Sequence, residues 1–189
     1  MRTRQYVNYD AYVQHQETKT LTVKDGSCNE LRSFQERQNT FAKLFSVLEP
    51  KLPCRAICLG ARRGEEVAAL KNMGVDAIGI DLVPFRPLVH QGDIHDLPIW
   101  DKSVSLVYSN SIDHVLDLPQ FAREVERVLQ PGGLAMFHLQ IGTWSDEVAN
   151  QIDSVDEFFD LFSNMFIIDS RTVPTFLGGM NHVIVLEKT

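Results

Sequence analysis

The sequence lacks the features that would assign it to a membrane, a secretory route or a nucleic-acid surface. No apolar run approaches the ~18 residues of a spanning helix. The N-terminus has basic residues but no apolar stretch after them, so we expect no signal peptide. Lysine and arginine number 18 against 25 acidic residues, and the net charge of −7 disfavours broad binding to nucleic acid or anionic lipid. We therefore expect a cytoplasmic protein with a small-molecule substrate, and we leave its oligomeric state open.

Cysteine is also scarce. Cys28, Cys54 and Cys58 form an odd set without the spacing of metal ligands, which indicates free thiols. The stretch 90–96 contains two histidines and two aspartates, but we expect no metal there, because Asp93 has another role described below.

Short apolar runs alternate with amphipathic helices from residue 55 onwards. This alternation predicts an α/β fold with a doubly wound, mostly parallel sheet. The last two strands are separated by too few residues for a crossover helix, so we expect them to be antiparallel. The predicted strands are 56–59, 75–80, 88–90, 104–108, 134–139, 166–173 and 182–186, and the main helices are 40–48, 65–73, 118–129 and one that opens on the capping box Ser154-x-x-Glu157.

One connection conflicts with this scheme. The segment from Asp81 to Leu88 holds Pro84 and Pro87 and is too short for the helix that normally joins parallel strands. Either the third strand is vestigial, or its crossover is an extended loop.

Two elements at the carboxyl ends of the first strands indicate a ligand. The segment Gly60–Gly64 leaves a strand and enters a helix, where glycine permits close backbone approach and the helix start offers unpaired N–H groups. Asp81 lies 21 residues after Gly60, at the end of the next strand, where a carboxylate can accept both hydroxyls of a ribose. Taken separately these are a structural turn and a solvated acid. Together they predict an adenosine-type ligand in a crevice that also includes Asp93 and Asn110.

Five stretches resemble successive motifs of the class I S-adenosylmethionine-dependent methyltransferases, in particular their type 11-like domains. They read AICLGARRGEEV, AIGIDL, HQGDIHDLPI, SVSLVYSNSIDHV and FAREVERVLQPGGLAMFHL. The resemblance implies a Rossmann-like, three-layer α/β/α fold with a seven-stranded sheet and an antiparallel C-terminal strand. It also implies S-adenosyl-L-methionine as cofactor, S-adenosyl-L-homocysteine as product, and an acceptor that the sequence does not identify.

The same resemblance implies a set of cofactor-binding residues. The loop residues would line the methionine part, and Asp81 would bind the ribose hydroxyls. Asp93 would accept from the adenine amino group, and Ser109 and Asn110 would lie near the methyl group. The implied set is Gly60, Ala61, Arg62, Gly64, Asp81, Leu82, Gly92, Asp93, Ile94, Ser109 and Asn110.

The loop departs from the family pattern at two positions. Cys58 stands where the family has an acid, and this removes a negative charge that would favour the cofactor's ammonium group. Arg62 replaces the middle glycine. Its side chain could turn outward, pair with the cofactor's carboxylate, or block the site and leave a non-catalytic cofactor-binding or protein-interaction module. The same replacement removes the Gly-x-Gly-x-x-Gly fingerprint of a nicotinamide site.

The stretch 109–114 holds the catalytic candidates. Methyl transfer is an in-line displacement that mainly needs alignment and exclusion of water, with a general base where the acceptor is a hydroxyl. His114 would be that base, and Asp113 would orient it or act instead. The structural alternative is that Asp113 caps the next helix and His114 binds a backbone carbonyl.

Residues 1–50 differ from the domain expected at 51–189, being polar at first and rich in aromatic side chains. Tyr6, Tyr9, Tyr12 and His15 recur every three residues, which places them on one helical face. This segment is expected to be a helical cap or lid that contributes to substrate binding, or else a helix packed on the sheet edge.

Overall fold

A computed structural model describes residues 2–24, 34–48, 54–85, 87–142, 149–176 and 179–189. The helices are α1 (Tyr9–Lys24), α2 (Phe34–Phe45), α3 (Glu65–Asn72), α4 (Leu118–Val128) and α5 (Val155–Phe159). The strands are β1 (Arg2–Thr3), β2 (Arg55–Leu59), β3 (Asp76–Asp81), β4 (Val89–Gln91), β5 (Val104–Ser109), β6 (Leu129–Leu139), β7 (Asn150–Gln151), β8 (Met165–Phe176) and β9 (Met180–Lys188). Among these described residues, no helix combines the length and apolarity needed to cross a membrane.

Seven of the strands form one sheet in the order β4-β3-β2-β5-β6-β9-β8. The pairs from β4 to β6 are parallel, whereas β9 runs antiparallel to both β6 and β8. The mostly parallel, seven-stranded sheet with an antiparallel C-terminal strand is therefore confirmed.

Alternate residues of the central strands bury on opposite faces of the sheet. In β2, Ile57 and Leu59 join the core beneath α4 and α5, while Ala56 and Cys58 join the core beneath α2 and α3. A strand covered on both faces is apolar at every position, which is why the sequence shows a continuous run there instead of an alternating one. Helices on both faces make the three-layer α/β/α arrangement.

The short connection between β3 and β4 resolves the conflict in the sequence. β4 has three residues and pairs in parallel with β3 at the sheet edge. Both alternatives therefore hold: the strand is minimal, and no helix lies between Leu82 and Leu88 within the described residues. An edge strand this short needs no crossover helix to cover it.

The end of α4 is fixed by Arg127. Its guanidinium donates to both carboxylate oxygens of Glu124, at 2.8 and 2.7 Å, and to the carbonyls of Leu97 and Ile99, at 3.0 and 2.8 Å. Glu124 in turn accepts from the backbone N–H of Leu97 at 2.7 Å. This network fastens the loop that follows β4 to the helix that precedes β6. β6 begins at Leu129, directly after the helix, and not at 134 as the sequence suggested.

Replacing Arg127 by alanine should destabilise the fold, because it leaves the carboxylate of Glu124 and two carbonyls without their donor. We expect a loss of roughly 2–3 kcal/mol in the free energy of unfolding, measured by urea denaturation. Arg123→Ala is the matched control on the same helix, since Arg123 is exposed and contacts Gln120. Equal losses in the two variants would contradict this role for Arg127.

Candidate cofactor and acceptor site

The glycine-rich loop leaves β2 in a conformation that glycine permits. Gly60 has φ of +70°, and its N–H donates to the carbonyl of Ile80 at 2.9 Å. A Cβ at this position would lie 2.7 Å from the Cβ of Ser111, so a side chain here would displace the segment after β5. Gly64, with φ of +80°, precedes the first turn of α3.

Asp81 is held by the backbone on both sides of its carboxylate. Oδ2 accepts from the N–H of Arg62 at 2.9 Å, and Oδ1 accepts from the N–H of Val83 at 2.8 Å. The carbonyl of Asp81 accepts from the N–H of Gly92 at 3.0 Å. The loop, the end of β3 and the end of β4 are thus joined at one point, as the sequence predicted. Arg62 adopts φ of +40° although it is not glycine.

The segment after β5 closes the same edge. The hydroxyl of Ser109 is buried and donates to the carbonyl of Leu59 at 2.9 Å, which ties β5 to β2. Ser111 donates to the carbonyl of Gly60 and to the side chain of Asn110, both at 3.3 Å. Ser109 is therefore a tie between strands, and Asn110 is the partly exposed residue at the rim.

Asp93 lies in a cluster with His95 and Tyr9. Its carboxylate accepts from the hydroxyl of Tyr9, and from the backbone N–H and Nδ1 of His95 at 2.8 and 2.9 Å. Burial favours the protonated acid, but the hydrogen bonds from His95 and Tyr9 outweigh it and lower the pKa of Asp93 to about 2. The Nε2 of His95 accepts from the backbone N–H of Asp117 at 3.1 Å, which leaves Nδ1 as the donor. Asp93 is therefore ionised and oriented.

Three more residues belong to the set that the resemblance implies for the cofactor. Leu82 follows β3 and is partly exposed, Ile94 packs against the core beneath α4, and Ala61 is a buried residue of the loop. Within the described residues, no group of histidine, cysteine, aspartate and glutamate side chains has an arrangement that would hold a metal ion.

His114 ends a single turn of 3-10 helix and meets Lys19 of α1. The ammonium of Lys19 lies 3.0 Å from Nε2 and 3.1 Å from Nδ1 of the ring. Asp113 places an oxygen 3.6 Å from the same Nε2. The structural alternative for Asp113 is wrong, because the cap of α4 is Asp117, which accepts from the N–H of Gln120 at 2.8 Å.

The N-terminal segment lies over these residues. Tyr12, 2% exposed, donates to the carbonyl of His114 at 3.1 Å, and its ring packs edge-on against Tyr6 and His95. The hydroxyl of Tyr6 meets Nδ1 of His15 at 2.7 Å. The predicted aromatic face therefore forms, although Tyr6 precedes the helix instead of belonging to it.

A buried acid follows the loop in the chain. Glu66, in the first turn of α3, is 3% exposed. Burial raises the pKa of its carboxyl to about 8, with the nearby charges of Glu65 and Asp81 adding to the rise and Arg37 opposing it. At neutral pH this carboxyl holds its proton in most molecules.

Sequence reasoning missed Lys19, His95 and Glu66. Lys19 continues the face of Tyr12 and His15 along the helix, so periodicity offered a signal for it. For His95, the sequence pattern indicated only a possible metal ligand. Glu66 carried no signal, because an acid in the first turn of a helix is usually solvated.

Comparisons with known proteins find similarity to methyltransferases. A family model described as a methyltransferase domain matches residues 57–137. A malonyl-[acyl-carrier protein] O-methyltransferase of Halorhodospira halophila is 32% identical over 135 residues, which are 58% of this chain and 45% of that protein. A second protein of that name, from Coxiella burnetii, is 34% identical over 93 residues, 45% of this chain and 33% of that protein. The stretch 57–137 of this chain is therefore similar to a methyltransferase domain. The chain spans less than half the length of either relative.

A solved structure shows the same fold across the whole chain. The 1,6-didemethyltoxoflavin-N1-methyltransferase of Burkholderia thailandensis has a TM-score of 0.72 at 14% identity, and the match covers 100% of this chain and 93% of that one. That protein was crystallised with bound 1,6-didemethyltoxoflavin and S-adenosylhomocysteine. At this identity the likeness concerns the fold alone.

The site described here has groups that fit S-adenosylmethionine. An adenosine ribose needs a carboxylate at the end of β3, and Asp81 is fixed there by two backbone donors. Gly60 lets the segment after β5 approach the loop closely, because a Cβ there would lie 2.7 Å from the Cβ of Ser111. Arg62 takes part in this arrangement through its backbone N–H.

The raised pKa of Glu66 predicts a pH-dependent stability. Below pH 4.5 both folded and unfolded chains carry the proton, whereas between pH 4.5 and about 8 only the unfolded chain loses it, so stability falls as pH rises. Glu66→Gln removes this dependence. We expect its stability to rise relative to the wild type by on the order of 2 kcal/mol between pH 5 and pH 7, measured by urea unfolding.

Glu65→Gln is the matched control. Glu65 is also buried, but it lies 3.2 Å from Arg37 and 3.5 Å from Arg63, so its replacement should lower stability. A constant difference between Glu66→Gln and the wild type across this pH range would contradict the assignment.

Proposed function

We propose that the chain is an S-adenosylmethionine-dependent O-methyltransferase whose acceptor is a carboxylate on a small acyl compound. The observation that carries this proposal is the pairing of Lys19 with His114 beside the end of β5. Both curated relatives are named as O-methyltransferases of a malonyl group, which supports an acyl carboxylate as acceptor.

The cofactor would be held by the residues that meet at the carboxyl edge of the sheet. Asp81 would accept the ribose hydroxyls, and the ionised Asp93 would accept from the adenine amino group. Gly60 and Gly64 would let the methionine end lie against the loop, near Asn110. When bound, S-adenosylmethionine supplies an electrophilic methyl group on a sulfonium.

The acceptor would be held by charge. A carboxylate is already ionised at neutral pH, so its transfer step needs alignment and dehydration instead of a general base. Lys19 supplies a positive charge, and the ammonium already engages the ring of His114. Together they would orient one carboxylate oxygen toward the methyl group. Asp113, with an oxygen 3.6 Å from Nε2, would help to orient the ring.

Residues 1–50 would act as a lid on the domain formed by 51–189. Tyr12 and Lys19 of α1 contact His114, and Tyr9 contacts Asp93, so one helix reaches both halves of the proposed site. Burying the reacting groups under this helix would exclude water from the methyl group.

A hydroxyl acceptor is the second candidate. The 3.6 Å separation between Asp113 and Nε2 of His114 favours it, because an acid that orients an imidazole is the arrangement of a general base. In that case His114 would take the hydroxyl proton as the oxygen attacks.

Asp81→Asn should weaken binding of S-adenosylhomocysteine. Asparagine keeps the shape but loses the charge and one acceptor, and we expect a loss of roughly 1–3 kcal/mol, measured by calorimetric titration. Asp76→Asn is the matched control at the opposite end of β3, where the exposed Asp76 pairs with Arg55 at 3.5 Å. Equal affinities of the Asp81 variant and the wild type would remove Asp81 from the site.

Lys19→Met should raise KM for the acceptor about tenfold or more, because a charged hydrogen bond to the carboxylate is lost. The affinity for S-adenosylhomocysteine should stay unchanged. Methyl-ester formation would be followed by mass spectrometry with acyl carboxylates, and with the matching alcohols and amines as competing acceptors. Lys71→Met, at the far end of α3, is the control. Methylation of alcohols or amines alone would contradict the carboxylate proposal.

His114→Asn separates the two candidates. With a carboxylate acceptor the variant should change KM more than kcat. With a hydroxyl acceptor, kcat should fall by about 10²–10⁴-fold, because a general base has been removed.

A further inference from the structure

The two edges of the sheet differ in length. β4, at one edge, has three residues, whereas β8, at the other edge, has twelve. Within the described part of the chain, β8 pairs with β9 and with no other strand. The outer side of its backbone therefore offers a row of N–H and C=O groups to a further strand. A long open edge of this kind is a template for pairing with another chain.

Apolar side chains lie along this open edge. Phe166 is 44% exposed, Ile167 is 37% exposed and Ile168 is 47% exposed. The register of β8 with β9 shifts between Ile167 and Asp169, so the alternation of buried and exposed faces is interrupted there. Single exposed apolar residues are ordinary, but three in a row on an open strand indicate an interaction surface.

The charges of β8 cancel within the strand. Nη1 of Arg171 lies 2.5 Å from Oδ2 of Asp169. Their register partners in β9, Val183 and Val185, belong to the core beneath α2 and α3, so both charges lie on that face of the sheet. The chain as a whole carries a net charge of −7, whereas the twelve residues of β8 hold one acid and one base. Two copies of this acidic chain can therefore meet at β8 without charge repulsion along the strand.

The order of residues in β8 is complementary to itself when one copy is reversed. In an antiparallel pair of β8 strands with a two-fold axis through Ser170, Asp169 of each copy lies opposite Arg171 of the other. An axis through Asp169 or Arg171 would instead set like charges opposite each other. The axis through Ser170 also sets Phe166 opposite Pro174, Ile167 opposite Val173, and Ile168 opposite Thr172.

We propose that the chain forms a homodimer in which two β8 strands pair in antiparallel order about Ser170. Apolar residues meet near both ends of the paired stretch, and an acid meets a base on each side of the axis. Pro174 has no N–H to donate, so the ladder ends there. The sheet would continue from one copy into the other. β6 and β9 separate β8 from β5, so the dimer does not depend on the proposed cofactor or acceptor.

The first test measures the mass of the unmodified protein in solution. Analytical ultracentrifugation should find a species of twice the 21.5 kDa of one chain, which dissociates on dilution. A monomer at every concentration up to about 100 μM would overturn the proposal, whether the edge stays open or serves a different protein.

The second test reverses one charge of β8 at a time. Asp169→Arg and Arg171→Asp each set like charges opposite each other, and each should raise the dissociation constant of the dimer by about a hundredfold or more. Asp76→Arg and Arg55→Asp are the matched controls, because they make the same changes of charge in an exposed ion pair on β3 and β2. The controls should remain dimeric. Dimers that persist in both β8 variants would place the interface elsewhere and overturn the proposal.

The third test mixes the two β8 variants. The chain with Asp169→Arg carries two bases near the axis, and the chain with Arg171→Asp carries two acids, so one chain of each kind is again complementary. We expect the mixture to form heterodimers although each variant alone is monomeric. A mixture that stays monomeric would show that the substitutions act on the fold of each chain, and this would overturn the proposal.

Hydrogen exchange on the wild type gives an answer even if the variants do not fold. The amides of β8 should gain protection as the protein concentration rises through the range of association, while those of β4 at the opposite edge should not. Protection of β8 that is independent of concentration would overturn the proposal.

Discussion

The site depends on the two hydrogen bonds by which backbone N–H groups fix the carboxylate of Asp81. One donor is Arg62 in the loop after β2, and the other is Val83 just beyond β3. These bonds join the ends of two neighbouring parallel strands and orient a charged group at the sheet edge. Two further contacts join neighbouring elements to this junction. The N–H of Gly92, after β4, donates to the carbonyl of Asp81, and the hydroxyl of Ser111, after β5, donates to the carbonyl of Gly60.

Two acids of this region differ in their protonation. Asp93 is kept ionised by His95 and Tyr9, whereas Glu66 is kept protonated by burial. One acid is therefore ready to accept hydrogen bonds, whereas the other holds a proton near neutral pH. Lys19 adds a positive charge beside His114. The proposed ligands, an adenosine and a carboxylate acceptor, match the ionised Asp93 and the charge of Lys19.

The sequence predicted the parts of the structure that local patterns encode. Buried strands such as 56–59 are continuous apolar runs, and Asp81 follows the loop at a distance that one strand–helix–strand unit sets. It did not predict the contacts that join distant segments. Tyr9 reaches Asp93 and Lys19 reaches His114 across separations of 84 and 95 residues, which no local period reports. Glu66 was missed because burial, not residue type, gives it its chemistry.

Binding of the cofactor itself tests the central claim most directly. Purified protein would be titrated by calorimetry with S-adenosylmethionine and S-adenosylhomocysteine, with NAD as the control ligand. The account predicts saturable binding of both sulfur compounds at one site per chain and none of NAD. Binding of NAD alone, or of none of the three, would contradict it.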